Sequence, residues 1–406
     1  MEFITGGVCA AKGYKASGIH CGIRKNRTKK DIALIVSDVK CAVACTYTRN
    51  LVKGAPLTVT KSNISDGMAQ AVICNSGNAN TCNANGIEIA EGMCELVANE
   101  IGIGKTDVVV ASTGVIGQPL SLDPIAGGMK ELAAGLAYGE AASVAAAEAI
   151  MTTDTVKKEV AVKFEVGGVE CKIGGIAKGS GMIHPDMATM LVFITSDCAV
   201  SSEMLKRALS ADIKDSFNMV SVDGDTSTND MVCLMANGLA GNACIDSEGE
   251  EFDAFRRALA MVTRTLCRMI ASDGEGATKM LDCRVSGAPD EKTAKIIAKS
   301  IICSSLVKAA MFGSDANWGR VLCAIGYSGA EIDISRVDVD FMSDKGTIAV
   351  CRDGAGVEFS EEKAKEILLE KDIFILCELN QGEGKAEAWG CDLTYDYVKI
   401  NGDYRT

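Results

Sequence analysis

The chain has 406 residues, 48% of them hydrophobic and 23% charged, enough to bury a sizeable core and to form two or three structural units. Lys and Arg number 41 against 54 Asp and Glu, and the net charge of −13 argues against nucleic acid or an acidic membrane surface as a partner. The start, Met1 to Gly7, has no basic stretch leading into an apolar core, and no later apolar run has membrane length, so a soluble protein kept in the cytoplasm is expected. In chain order, Ile32–Val36 and Asp107–Ser112 predict buried strands, being short, β-branched and bounded by turn residues. Ala-rich Glu140–Met151 predicts a helix that stops at Thr152-Thr153-Asp154-Thr155, where hydroxyl and carboxylate side chains favour a turn. Leu191–Thr195 reads as a strand. From Phe252 through Leu259, Val262, Leu266 and Ile270, apolar residues recur at three- and four-residue spacing, the pattern of an amphipathic helix. Lys292–Met311 predicts another helix, followed by strands at Gly346–Val350, Asp372–Leu376 and Tyr395–Ile400. The fold class expected is mixed α/β, with a larger core over residues 1–284 and a smaller C-terminal α/β unit over 285–406.

Eighteen cysteines form no C-x-x-C pair and sit singly among apolar neighbours, so they read as small buried hydrophobes in a reducing compartment. His20 and His184 are the only histidines, too few for a multi-histidine metal site and scant for a histidine triad. Gly104-Lys105-Thr106 lacks the glycine a phosphate loop needs five residues earlier, where Asn99 stands, and is followed by a strand. Asp223-Gly224-Asp225 opens like a calcium loop but has Thr228 where the glycine belongs. Neither Gly174-Gly175 nor Gly179-Ser180-Gly181 completes a dinucleotide fingerprint. No metal and no cofactor is expected.

The most informative stretch is Lys178-Gly179-Ser180-Gly181-Met182-Ile183-His184-Pro185-Asp186-Met187-Ala188-Thr189-Met190-Leu191, a glycine loop that runs into a strand. It resembles the signature of the ornithine acetyltransferase family, the self-cleaving two-chain enzymes of the acetylated arginine pathway. Further stretches carry the resemblance along the chain: Asn75-Ser76-Gly77-Asn78-Ala79-Asn80, Ala111–Gly117, Ile150–Thr155, Ser221–Asp230, Gly274–Lys279, Asp315–Arg320 and Trp389–Tyr397.

The resemblance implies an N-terminal-nucleophile-like enzyme that cuts itself between Ala188 and Thr189, giving an α chain of 1–188 and a β chain of 189–406 in an α2β2 assembly. A threonine hydroxyl can attack the preceding carbonyl, and hydrolysis of the ester then frees both the hydroxyl and a new α-amine. That amine, with a reference pKa of about 7.7 to 8, can act as the base that histidine supplies elsewhere. By the same resemblance Thr189 is the nucleophile, Thr113 and Gly114 form the oxyanion hole, and Thr152, Lys178, Thr189, Glu275, Asn401 and Thr406 bind substrate; the adjacent Thr153 stays open as the alternative to Thr152. The implied reaction moves an acetyl group from N-acetylornithine to glutamate, small-molecule partners whose carboxylates and ammonium need both a cation and anions. Family members that also take acetyl-CoA exist beside members that do not, and both readings stand. The alternative is an N-terminal-nucleophile aminopeptidase or amidohydrolase, with water as acceptor.

Overall fold

Ile32–Val36 is apolar at every position because both faces of its strand are covered. Ile32, Leu34 and Val36 belong to one buried cluster with Met93, Val97 and Leu132, while Ala33 and Ile35 belong to another with Ala146 and Ile150. The period of two therefore distributes one strand between two cores, one packed by helices Gly86–Ile101 and Asp123–Ala134 and the other by Glu140–Ala149. The strand extends to Tyr47.

The computed structural model describes residues 1–184 and 190–403, which fall into two units. The first comprises residues 1–179, 190–217 and 226–266, the second 180–184, 218–225 and 267–403. The main division between these units falls after Leu266, inside helix Glu250–Ser272, and two short segments of earlier sequence belong to the second unit.

In the first unit a nine-stranded sheet of described residues runs Glu2–Ile4, Lys158–Val166, Val169–Lys178, Leu191–Ser196, Met231–Ala236, Ile32–Tyr47, Met68–Asn75, Val108–Ser112, with Tyr14–Ile19 paired beside this path to Ile32–Tyr47. It is mixed: Met231–Ala236 lies parallel to Leu191–Ser196 but antiparallel to Ile32–Tyr47. Leu191 stands opposite Lys178 on one side and Met231 on the other.

Among the described residues the second unit holds a seven-stranded sheet in the order Ala355–Gly356, Gly346–Arg352, Asp338–Ser343, Asp372–Glu378, Met280–Ala288, Gly384–Cys391, Val220–Ser221. Helix Glu291–Cys303 packs on it where Gly390 has no side chain, since a Cβ there would come within 2.5 Å of Ile302. The helix expected over Lys292–Met311 is two, Glu291–Cys303 and Ser305–Phe312. Ser304 between them is extended, and its hydroxyl accepts the N–H of Val307 at 3.3 Å, so an N-cap interrupts what apolar periodicity alone would continue. The strand expected over Tyr395–Ile400 is instead the helix Tyr395–Asp403. No described helix is long and apolar enough to cross a membrane.

Candidate functional site

Thr113 and Gly114 follow directly on the strand Val108–Ser112, every residue of which is buried. The Thr113 N–H donates to the carbonyl of Asn75 at 2.9 Å, so the sheet consumes its backbone donor and the hydroxyl is what it has to offer. Gly114 has φ +127°, and a Cβ there would lie 2.9 Å from the Asn78 nitrogen, so only glycine fits. The facing turn is held by Asn75, whose Oδ1 accepts from the N–H groups of Gly77 and Asn78 at 2.9 and 3.0 Å and whose Nδ2 donates to Ser112 Oγ at 2.8 Å. Asn229 donates to the Ser112 carbonyl at 2.9 Å. The asparagine-rich stretch 75–80 thus fixes the turn that carries Thr113 and Gly114.

The same unit buries three charges around the end of strand Val169–Lys178. Asp154 accepts from Lys158 Nζ at 2.7 Å and from the N–H groups of Thr152 and Gly179 at 3.0 and 2.8 Å. Burial alone would raise its pKa, but the charges of Lys158 and Lys178, with these donors, hold the carboxyl well below the usual carboxylate range. Lys158 is the direct partner of Asp154. Lys178, 7% exposed, has no hydrogen-bond or ion-pair partner for its ammonium among the described residues. Its charge acts on the nearby Asp154 without a direct hydrogen bond, which leaves its donors for an arriving anion. Thr152 is tied by its own backbone, its carbonyl accepting from Lys29 Nζ at 3.3 Å.

In the second unit Glu275 is 8% exposed in the turn after helix Glu250–Ser272. Its N–H donates to the Ser180 carbonyl at 2.9 Å, and its Oε2 accepts from Asn401 Nδ2 at 2.7 Å. Gly181 makes room for this carboxylate: a Cβ there would be 2.3 Å from Glu275 Cδ. Gly276, with φ +68°, lets the start of helix Tyr395–Asp403 approach, since a Cβ would be 2.6 Å from the Tyr397 nitrogen. The structure therefore brings Glu275 and Asn401 into direct contact in one unit, and in the other sets Thr152 and Lys178 around Asp154. Ala188, Thr189 and Thr406 lie outside the described residues. Met190, next to the expected junction, is buried, and its carbonyl accepts from the Met231 N–H at 2.9 Å.

Sequence reasoning gave no role to Asp154, Lys158 or Tyr397, and considered Asp223 only as the start of an incomplete calcium loop. Asp154 and Lys158 are four apart, a spacing that reads as a solvent-facing pair in the absence of a sheet to bury it.

A mixed α/β chain with buried charges at loop ends has the features of an enzyme for small polar molecules. The chain belongs to the ArgJ family, whose model matches residues 15–406. Among relatives, the arginine biosynthesis bifunctional protein ArgJ of Caldanaerobacter subterraneus is 48% identical over the whole of both chains. The protein of the same designation from Symbiobacterium thermophilum is 50% identical, again over the whole of both. A crystal structure of the arginine biosynthesis bifunctional protein ArgJ from Bacillus halodurans is 44% identical, with a TM-score of 0.50; the match covers 98% of that chain and 52% of this one.

Proposed function

We propose that the protein transfers an acetyl group from N-acetylornithine to glutamate through an acetyl ester on Thr189, after cutting itself between Ala188 and Thr189 into chains of 1–188 and 189–406. Membership of the ArgJ family along residues 15–406 carries this reading. In the cut, Thr189 Oγ bonds to the Ala188 carbonyl carbon, the C–N bond breaks as the hydroxyl proton passes to nitrogen, and water hydrolyses the ester. A solved relative matched over 98% of its own chain but 52% of this one has the size that such a cleavage would leave.

In the transfer, the freed α-amine takes the Thr189 hydroxyl proton as Oγ attacks the acetyl carbonyl. The Thr113 hydroxyl and the Gly114 N–H meet the oxyanion, each such donor being worth about 2.7 to 4 kcal/mol in comparable sites. Ornithine leaves with the proton, and the amine of glutamate attacks the ester carbonyl in turn, breaking its C–O bond as the α-amine takes the glutamate proton and returns it to Thr189 Oγ. Lys178 meets a substrate carboxylate, and Glu275, oriented by Asn401, meets the side-chain ammonium; Thr152 and Thr406 supply polar contacts. The designation of the relatives as bifunctional favours a second activity, acetyl transfer from acetyl-CoA to glutamate. We place the enzyme in the cytoplasm as an α2β2 assembly.

Thr189→Ala should stay whole on a denaturing gel and lose turnover. Wild type given N-acetylornithine alone should release one ornithine per site in a burst, then slow until glutamate is added. Steady release without glutamate would make the protein a hydrolase of the aminopeptidase kind, and normal turnover by Thr189→Ala would end the reading.

A further inference from the structure

We propose that Asp223 is a positioning residue for the self-cleavage, a clamp on the chain upstream of the cut bond, and that Tyr397 of helix Tyr395–Asp403 steadies the clamp. This rests on the reading that the chain cuts itself before Thr189.

Asp223 Oδ2 accepts from the N–H of Met182 at 2.6 Å and Oδ1 from the N–H of Ile183 at 2.9 Å. Val222 donates its N–H to the Ile183 carbonyl at 2.7 Å. Two successive N–H groups converging on one carboxylate make a charge-assisted pair that fixes the peptide plane between them. Something has to fix it, because Met182 adopts φ +55°, a left-handed conformation that a methionine side chain does nothing to favour. Met182 is 43% exposed, so burial of its side chain is not the restraint. The preceding residue but one, Ser180, is tied at both ends, its hydroxyl to the Asp273 carbonyl at 2.6 Å and its carbonyl to the Glu275 N–H at 2.9 Å. His184 follows the clamp, its Nδ1 3.1 Å from Ser221 Oγ. The chain thus reaches position 184 along a path held residue by residue, and an intramolecular attack depends on such alignment more than on added catalytic groups.

Tyr397 donates its hydroxyl to Asp223 Oδ2 at 3.3 Å, and Asn401, one turn later on the same helix, donates to Glu275 at 2.7 Å. One helix therefore supports both the clamp and the carboxylate assigned to the substrate ammonium. It follows that loosening this helix at Tyr397 should slow maturation as well as catalysis.

The test follows cleavage of the full chain with time on denaturing gels for wild type, Asp223→Ala, Asp223→Asn and Tyr397→Phe, with a melting curve for each. Asp223→Ala should be cut roughly tenfold or more slowly while still melting cooperatively within a few degrees of wild type. Asp223→Asn, which keeps one carbonyl acceptor, should fall between them, and Tyr397→Phe should slow the cut two- to threefold. Cleavage of Asp223→Ala at the wild-type rate overturns the clamp, as does slowing that merely follows lost melting temperature across the set. Should the alanine variant fail to fold, the isosteric asparagine variant decides alone, and a wild-type rate there overturns the proposal. A wild-type chain that stays whole overturns the cleavage reading and the clamp with it, an outcome recognisable because it does not depend on Asp223.

Discussion

Gly181 lacks a side chain where Glu275 needs the space, so the two residues can be tested against each other. A methyl group at 181 would stand 2.3 to 2.4 Å from the Glu275 carboxylate atoms, which lie at the free end of a flexible side chain and can swing away. Gly181→Ala should therefore fold and yet misplace the anion assigned to the ornithine ammonium. We expect KM for N-acetylornithine to rise roughly tenfold, about 1.4 kcal/mol, with a smaller change in kcat; an unaltered KM would remove Glu275 from the donor site. Asp212 tests a different balance. Burial pushes its carboxyl up to about 6, against bonds from Thr263 and Ser216 that lower it. Since the folded value lies above the unfolded one of about 3.9, the native state carries a penalty above pH 6 that fades as the pH falls through both values. Asp212→Asn should raise the melting temperature at pH 7.5, by up to about 2 kcal/mol of stability, and leave it unchanged near pH 4. A variant less stable at pH 7.5 would mean that the carboxylate is needed in its charged form.

At the scale of elements, most of what the sequence made legible was a matter of period. Ile32–Val36, the strand expected over Asp107–Ser112 and found from Val108, Leu191–Thr195 and the helix from Phe252 to Ile270 all appear where their apolar spacing puts them, because burial of a regular face decides both the element and its place. The C-terminal segment was misread for a complementary reason. Tyr395, Tyr397, Val398 and Ile400 are residues that strands favour, but none of the residues of helix Tyr395–Asp403 is buried, so no core enforces a period. Its holds are mostly polar: Thr394 Oγ1, just before the helix, receives the Tyr397 N–H at 3.3 Å, Tyr397 reaches Asp223 and Asn401 reaches Glu275, while Tyr395 packs edge-on against Phe312. The roles proposed for Lys178 and Glu275 were legible only through family motifs, since each reads locally as a solvated charge and becomes unusual once its own unit buries it. Asn401→Ala removes one hydrogen bond to a carboxylate and nothing from the core. It should raise KM for N-acetylornithine about fivefold to tenfold, near 1 to 1.4 kcal/mol, with the melting temperature unmoved and the two fragments still formed. Failure of the fragments to appear would place Asn401 in folding rather than in binding.

For the whole molecule, the consequence of cleavage follows from which strands pair. Leu191–Ser196 and Met231–Ala236 would belong to the β chain, yet they sit in the nine-stranded sheet with α-chain strands on both outer sides. Leu191–Ser196 is paired over six residues with Val169–Lys178, and Met231–Ala236 over six with Ile32–Tyr47. Leu191, Val192, Phe193, Ile194, Val232 and Leu234 are all at most 2% exposed, each contributing roughly 1.5 to 3 kcal/mol by burial. Fragments 1–188 and 189–406 therefore cannot part while the sheet is intact, and they should co-elute on size exclusion however far the sample is diluted, separating only in denaturant. Refolding then distinguishes cleaved from uncleaved protein. Thr189→Ala, as one chain, closes the sheet within itself, so its refolding rate and yield should not depend on concentration. Cleaved wild type must first bring two chains together, and a strand of one must enter between strands of the other, so its yield should fall as the refolding mixture is diluted. Fragments that separate in native buffer, or a cleaved enzyme that refolds independently of concentration, would show that the cut does not lie between Val169–Lys178 and Leu191–Ser196.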